Sequence, residues 1–275
     1  GYNWPILTAS AGGGGKDRLY LSLWGCPHPR CDTALVARSN DGGDSFSAPV
    51  VVSPPPGGLR PSAVAVAPDG SLHQLFLRDY ETGEVEVVLT SSTDGGATFS
   101  APAVIDRRRG VGIQYDSAKL FIDPASGAFY TVQSDQRLGT TNVWFRRSAD
   151  RGATWSQAVQ VDRGPRGGAF APVMSVAPNG RIDLVFYQRR AENRDDVKWA
   201  YSTDGGVTFS TDRQINERVI NRDIGYWNEL GDDYPPAVAS TNSTAVAAWV
   251  DTRFGTTTDD NQDTFIRLLT PGGAS

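Results

Sequence analysis

The sequence predicts an all-β fold, a β-propeller of five four-stranded antiparallel blades, and two observations carry that expectation. One short motif recurs four times at a nearly constant interval. The stretches between its copies are short or alternating apolar runs broken by Gly, Pro, Asn and Asp, the pattern of strands and turns. The copies read Ser39-Asn-Asp41-Gly-Gly43-Asp-Ser45-Phe46, Ser92-Thr-Asp94-Gly-Gly96-Ala-Thr98-Phe99, Ser148-Ala-Asp150-Arg-Gly152-Ala-Thr154-Trp155 and Ser202-Thr-Asp204-Gly-Gly206-Val-Thr208-Phe209. Their aspartates stand 53, 56 and 54 residues apart. A period of that length marks a repeat architecture in which each repeat is one supersecondary unit.

The motif has the chemistry of a tight chain reversal. Its aspartate can accept hydrogen bonds from backbone amides ahead of it, its glycine supplies a positive φ, and its aromatic anchors the turn in the fold. Asp41, Asp94, Asp150 and Asp204 are therefore read as structural. The pattern resembles the Asp-box, or BNR repeat, of the sialidase-like superfamily, and the resemblance spans nearly the whole chain. It implies a propeller with the boxes in the turns between the third and fourth strands (C and D) of each blade.

Taken in order, the first unit starts near Pro5, with Leu19–Trp24 as strand B. The second is the clearest: Pro61–Ala67 as strand A, a turn at Pro68-Asp-Gly70, then Leu72–Leu77, Glu84–Thr90 and, after the box, Ala101–Ile105. A third unit begins near Ser117 and turns at Asp123–Gly127, and a fourth begins near Pro172 and turns at Pro178-Asn-Gly180. The last starts near Pro235, with Ala245–Val250 and Thr264–Leu269 as strands B and C; it lacks a box and stops before a fourth strand. One domain over residues 1–275 follows, with blades at about 1–54, 55–106, 107–163, 164–217 and 218–275. Ring closure is expected to use the Tyr2–Leu7 segment.

Composition narrows the function classes. Thirty Gly and 17 Pro suit many turns, while 7 Trp, 9 Tyr and 11 Phe supply a core. A net charge of −5 argues against nucleic acid or an anionic membrane surface as the main partner, and no apolar run is long enough to cross a bilayer. The two cysteines, Cys26 and Cys31, lie in Cys-Pro-His-Pro-Arg-Cys. A small disulfide-closed loop is expected there, the alternative being a metal site that also uses His28. A disulfide places the protein outside the cytoplasm, and a chain that begins with Gly fits removal of a leader. A secreted monomer is the expectation. No phosphate-binding glycine loop, nucleophile elbow or His-Glu-x-x-His stretch occurs, so no organic cofactor is expected, and His73 reads as a strand residue. The acidic loop Thr256–Asp263 can supply oxygen ligands to Ca²⁺ but lacks the twelve-residue pattern with a closing Glu; a solvated loop is the competing reading.

A site is sought among the loops at the end of the blades opposite the boxes. The longest uncovered stretch runs from Thr211 to Tyr234 and holds Tyr226, Trp227, Glu229, Asp233 and Tyr234, aromatics and carboxylates suited to a sugar, or simply a packed loop. The exits of the B strands are polar: Arg78-Asp79-Tyr80, Asp135-Gln136-Arg137, Gln188-Arg189-Arg190 and Asp251-Thr-Arg253. Leu77-Arg-Asp-Tyr80 and Trp249-Val-Asp-Thr-Arg253 resemble a Trp-x-Asp-x-Arg-like element of bacterial Asp-box proteins, and Gly231-Asp-Asp233-Tyr234 resembles a Gly-Asp-Tyr element found there. The bland alternative for each aspartate is an ion pair that locks its loop.

The superfamily resemblance implies a glycosidase, for which two carboxyl groups suffice. By position at the start of an inner strand, Asp116 and Asp233 are the leading catalytic candidates, with Asp79, Asp135, Asp251 and Glu229 in reserve. Sialidases clamp a substrate carboxylate with an arginine triad, since the guanidinium fork binds carboxylates bidentately. Arg60, Arg189 and Arg253 are the candidates here, but the Arg-Ile-Pro signature is absent; Leu59-Arg60-Pro61 is the nearest match and sits in the second unit. Arg78, Tyr115, Tyr226, Trp227 and Tyr234 complete the expected glycan contacts. The competing class is a non-catalytic glycan-binding or protein-interaction propeller. Because the B-strand exits differ from blade to blade, one asymmetric site is expected rather than a repeated one.

Overall fold

The computed structural model describes residues 2–10, 17–25, 33–53, 58–80, 82–109, 118–163, 168–224, 235–256, 258–259 and 262–272. Two compact units make up the chain: Gly1–Gly110 with Ala118–Tyr130 and Ser148–Trp155, and Val111–Ser117 with Thr131–Arg147 and Ser156–Ser275. No helix occurs among the described residues.

Five antiparallel meanders follow one another in the sequence. The first is β1 (Tyr2–Ser10), β2 (Arg18–Gly25), β3 (Thr33–Ser39) and β4 (Val50–Ser53); the second is β5 (Gly58–Val66), β6 (Leu72–Asp79), β7 (Glu84–Ser92) and β8 (Ala103–Arg109). The third is β9 (Ala118–Ile122), β10 (Phe129–Asp135), β11 (Asn142–Ser148) and β12 (Val159–Gln160). The fourth is β13 (Ala169–Val176), β14 (Ile182–Ala191), β15 (Arg194–Ser202) and β16 (Arg213–Gln214), with β17 (Ile220–Asn221) also paired to β15. The last has three strands among the described residues: β18 (Ala237–Ser240), β19 (Ala245–Asp251) and β20 (Asp263–Leu269).

Some elements depart from expectation. The Tyr2–Leu7 segment lies in β1 and pairs with β2, Tyr2 opposite Gly25, so it is the first strand of its own sheet. The stretch Thr211–Tyr234 is not one uncovered loop: β16 and β17 extend the fourth sheet past residue 217. Asn216 makes this possible, because its side-chain oxygen accepts the Val197 amide at 2.8 Å and substitutes for a missing ladder bond. In the second sheet the fourth strand starts at Ala103 and runs to Arg109, paired to Glu84.

All four repeated turns close the same way. In the second, Ser92 Oγ donates to Asp94 Oδ1 at 2.7 Å and accepts the Gly96 amide at 2.8 Å, while Thr98 gives its amide to Oδ1 and its hydroxyl to Oδ2 at 2.9 and 2.6 Å. The fourth repeats this with Ser202, Asp204, Gly206 and Thr208. These bonds favour the charged carboxylate, so Asp150 and Asp204 are held down to about 2, led in both by the hydroxyl of Thr154 or Thr208.

The turns also join successive sheets. Phe99 and Trp155 pack on the apolar clusters formed with the preceding sheet, and Phe209 meets Phe145 edge-on with centroids 5.1 Å apart. Phe46, in the first sheet, follows no earlier sheet in the chain and is 42% exposed, so the anchoring expected of the motif's aromatic does not extend to it. Within the first unit, Leu75, Leu77, Val87 and Leu89 face Leu120 and Phe129. Within the second, Tyr187, Val197 and Trp199 face Ala247, Trp249 and Leu269. Burying one such aliphatic chain contributes about 1.5–3 kcal/mol, so these sheet-to-sheet clusters dominate the stability of each unit.

Candidate functional site

Strand register brings the B-strand exits to one equivalent position. Gly25 faces Thr33, Arg78 faces Glu86, Gln188 faces Asp196 and Asp251 faces Asp263, and Asp135 ends β10 at the same distance from its start. Five sheets thus present Gly, Arg, Asp, Gln and Asp at one station.

In the first unit the organising group is Glu86 of β7, whose side chain is only 7% exposed. Arg78 and Arg107, the cross-strand neighbours of Glu86, reach its two oxygens at 3.0 Å each, and the Tyr80 hydroxyl donates to Oε2 at 2.8 Å. Burial works against the charge of Glu86, but the bonds from Tyr80, Arg107 and Arg78 outweigh it and hold the carboxyl below its usual range. The backbone of Asp79 pairs with Gly58 and Val85, and the next residue, Tyr80, is exposed. Arg60 sits on β5 and is 5% exposed, so it is a buried residue rather than an open substrate contact.

In the second unit two exits share one device. Asp135 Oδ1 accepts the Arg137 amide at 3.0 Å, and Asp251 Oδ1 accepts that of Arg253 at 2.9 Å. Each arginine then folds back on Oδ2, at 2.5 and 2.7 Å, and lays its guanidinium over an aromatic of strand C: Trp144 at 4.5 Å and Phe265 at 3.7 Å. Asp251 also accepts the Trp249 indole N–H at 3.2 Å. With both oxygens engaged and 1% exposure, Asp251 holds Arg253 in place, which is the loop-locking role rather than that of an open acid. Arg253 also faces Glu217 at 3.5 Å.

The fourth sheet differs. Asp195 of β15 is fully buried and lies between Arg189, at 2.7 Å, and Arg222. Both guanidinium groups also rest on Phe170, at 5.2 and 4.8 Å. Arg190 points outward, 3.7 Å from Asp196. Asp223, beside Arg222, is tied to Arg194 and Asn193 at 2.7 and 2.8 Å.

Of the remaining expected residues, Tyr115, Asp116, Tyr226, Trp227, Glu229, Asp233 and Tyr234 lie outside the described residues, as do Cys26, His28 and Cys31. No group of three or more His, Cys, Asp or Glu poised for a metal ion occurs among the described residues; of the acidic loop, Thr256 and Asp259 form an isolated bridge. Glu86 and Asp195 were missed in the sequence. The available signal was charge pairing across a hairpin, Arg78 with Glu86 and Arg189-Arg190 with Asp195-Asp196. Among the described residues no helix is long and apolar enough to cross a membrane.

Neither a family model nor a curated protein matches the chain. Solved structures do. A protein of unknown function from Dyadobacter fermentans superposes with a TM-score of 0.59 at 14% identity, over 98% of this chain and 95% of that one. The α-L-arabinofuranosidase of Fusarium graminearum, solved with an iminosugar inhibitor, gives 0.63 at 15% identity over 88% and 74%. The intramolecular trans-sialidase of Ruminococcus gnavus, solved with oseltamivir carboxylate, gives 0.54 at 10% identity over 98% and 85%. At these identities the likeness establishes the fold alone: the chain is a β-propeller.

Proposed function

We propose that the chain is a secreted carbohydrate-active protein, a glycoside hydrolase that works with paired carboxylates at the end of the sheets opposite the repeated turns. The observation that carries this reading is the inequality of the five exits. A repeated lectin site needs equivalent groups in equivalent places, whereas Gly25, Arg78 and Gln188 differ from one another and from Asp135 and Asp251, the two exits that share one device. The arabinofuranosidase and trans-sialidase likenesses support a glycan as ligand. Asp116 and Asp233 are the proposed acid and base, and Arg189 and Arg253 the proposed contacts. Arg189 and Arg253 are already aligned by carboxylates and aromatic faces, so little side-chain entropy is lost when they meet a ligand.

The second reading is a glycan-binding propeller without chemistry. It is favoured by the ion-paired state of Asp195 and Asp251, which leaves neither as an available proton donor. Hydrolysis of a panel of arabinans, sialosides and other glycans, comparing the wild type with Asp116→Asn and Asp233→Asn, separates the two. Loss of turnover in either folded variant supports the hydrolase. Saturable binding without turnover in the wild type establishes the binding module instead.

A further inference from the structure

Two clefts lie side by side at the turn end of the first unit, away from the strand exits. One, of about 350 Å³, is lined by Arg18 of β2, by Asp69 and Ser71 of the turn into β6, and by Thr93 and Asp94 of the second repeated turn. The other, of about 160 Å³, is lined by Pro68 and Asp69, by Pro124 and Ser126, and by Arg151 of the third repeated turn. Asp69 belongs to both.

Strand geometry puts Arg18 in the larger cleft. Tyr20 is 2% exposed, and a Cβ on Gly96 of the second repeated turn would stand 3.6 Å from its ring. Arg18 precedes Tyr20 by two residues in β2, so both side chains leave the same face of the first sheet. Tyr20 thus seats under the turn, and the exposed Arg18 reaches the open space beside it. Among the described residues the Arg18 guanidinium has neither a carboxylate partner nor a hydrogen bond.

The carboxylates of the cleft are already bonded. Asp94 accepts from the Ser92 hydroxyl, from the Ala97 and Thr98 amides and from the Thr98 hydroxyl. Asp69 Oδ1 accepts the amide and the hydroxyl of Ser71, and its Oδ2 meets Arg151 NH1 at 2.6 Å. These bonds favour the charged forms and hold both carboxyls below their usual range, led by the hydroxyls of Thr98 and Ser71. Each Oδ2 takes a single bond and keeps a lone pair for a further donor. Arg151 is set on the second cleft at a cost: it adopts φ +58°, where the other three turns carry Gly42, Gly95 and Gly205. Its side chain is 66% exposed beyond the bond to Asp69.

We propose that this surface binds an acidic sugar chain, one uronic acid residue in the Arg18 cleft and the next in the Arg151 cleft. Arg18 is the lining charge without a partner, so it calls for an anion; a neutral sugar would leave it unpaired. A bare anion would meet Asp69 and Asp94 only as like charges. A carboxylate flanked by hydroxyls resolves both demands: the guanidinium fork takes the carboxylate, and the Oδ2 atoms of Asp69 and Asp94 take hydroxyl protons. The exposed Thr93 hydroxyl adds a further donor and acceptor. The site lies at the end of the sheets opposite the exits, so it is independent of the hydrolase reading.

The test titrates the full chain with digalacturonate, galacturonate, galactose and acetate, by calorimetry and by amide chemical shifts. Digalacturonate is expected to bind saturably, galacturonate more weakly and the other two not at all, with shifts at Gly70 and Gly95. Arg18→Gln should weaken binding of both acids about tenfold or more, and Arg18→Lys, which keeps the charge without the fork, should recover only part of it. Arg151→Gly restores the residue of the other turns, so it should fold, and it should weaken digalacturonate several-fold while sparing galacturonate. Unchanged affinity in Arg18→Gln, acetate binding as well as galacturonate, or shifts confined to the exits around Tyr80 would overturn the proposal.

Discussion

Arg151 of the third repeated turn reaches back to the second sheet and places NH1 2.6 Å from Asp69 Oδ2, an ion pair made by a residue with φ +58°. The pair is largely solvent-exposed and contributes at most about 1 kcal/mol, while the left-handed backbone costs about 1–2 kcal/mol. Arg151→Gly is therefore expected to leave stability unchanged or raise it by up to about 1 kcal/mol. A melting temperature that falls by several degrees would show that the ion pair outweighs the strain.

Gly206 and Gly180 separate two costs of replacing glycine. Both have φ near +80°, but a Cβ at Gly206 would lie 2.1 Å from Phe145 Cε1, whereas one at Gly180 meets nothing within 4 Å. Gly180→Ala should cost about 1–2 kcal/mol and Gly206→Ala about 3 kcal/mol or more, because the second also displaces a packed ring. Urea melts of the two variants with unchanged slopes check the difference.

Acid should weaken the fold in two stages. His73 is lowered from 6.5 to about 4 by burial, so the unfolded chain binds its proton first and stability falls as pH drops from about 6.5 towards 4. Asp150 and Asp204 are lowered to about 2 by their turn hydrogen bonds, so their contribution is present above about pH 4 and is lost as pH falls towards 2. Melting temperature followed against pH should show both limbs. His73→Gln should flatten the upper limb and leave the lower one intact.

Asp195, itself fully buried, is shared by Arg189 and Arg222. Asp195→Ala removes the carboxylate from between two cations and should destabilise the chain by about 3–5 kcal/mol. Asp223→Ala, which removes an exposed partner of Arg194, should cost far less. Equal effects on the two unfolding midpoints would refute the assignment of Asp195 as the buried anchor.

The fold was readable because the repeated turn is local chemistry: Ser92, Asp94 and Thr98 satisfy one another within seven residues, and no distant contact is needed to specify them. The ends of strands were less so. Residues 213–221 join the fourth sheet with the Asn216 side chain bonded to Val197, a contact that no periodicity reveals. The charged clusters were half visible. The pairing of Asp135 with Arg137 and of Asp251 with Arg253 lies within three residues, but Glu86 becomes a hub only when register sets Arg78 and Arg107 beside it. A slip of one residue would turn Glu86 to the opposite face, so its role belongs to the register and not to the composition of the strand.

The repeated turns are also stitched to their neighbours: Arg38 of the first sheet donates to the Gly95 carbonyl in the second, and Arg147 of the third donates to the Gly205 carbonyl in the fourth. One end of each sheet thus carries the bonds that hold adjacent repeats in step, while chemical variety is concentrated at the other. Such a division lets mutation and recombination explore the exits without unpicking the frame. A library randomised at Tyr80, Gln136, Arg190 and Phe254 should therefore yield mostly folded members, whereas one randomised at Ser92, Gly96, Ser202 and Gly206 should yield few.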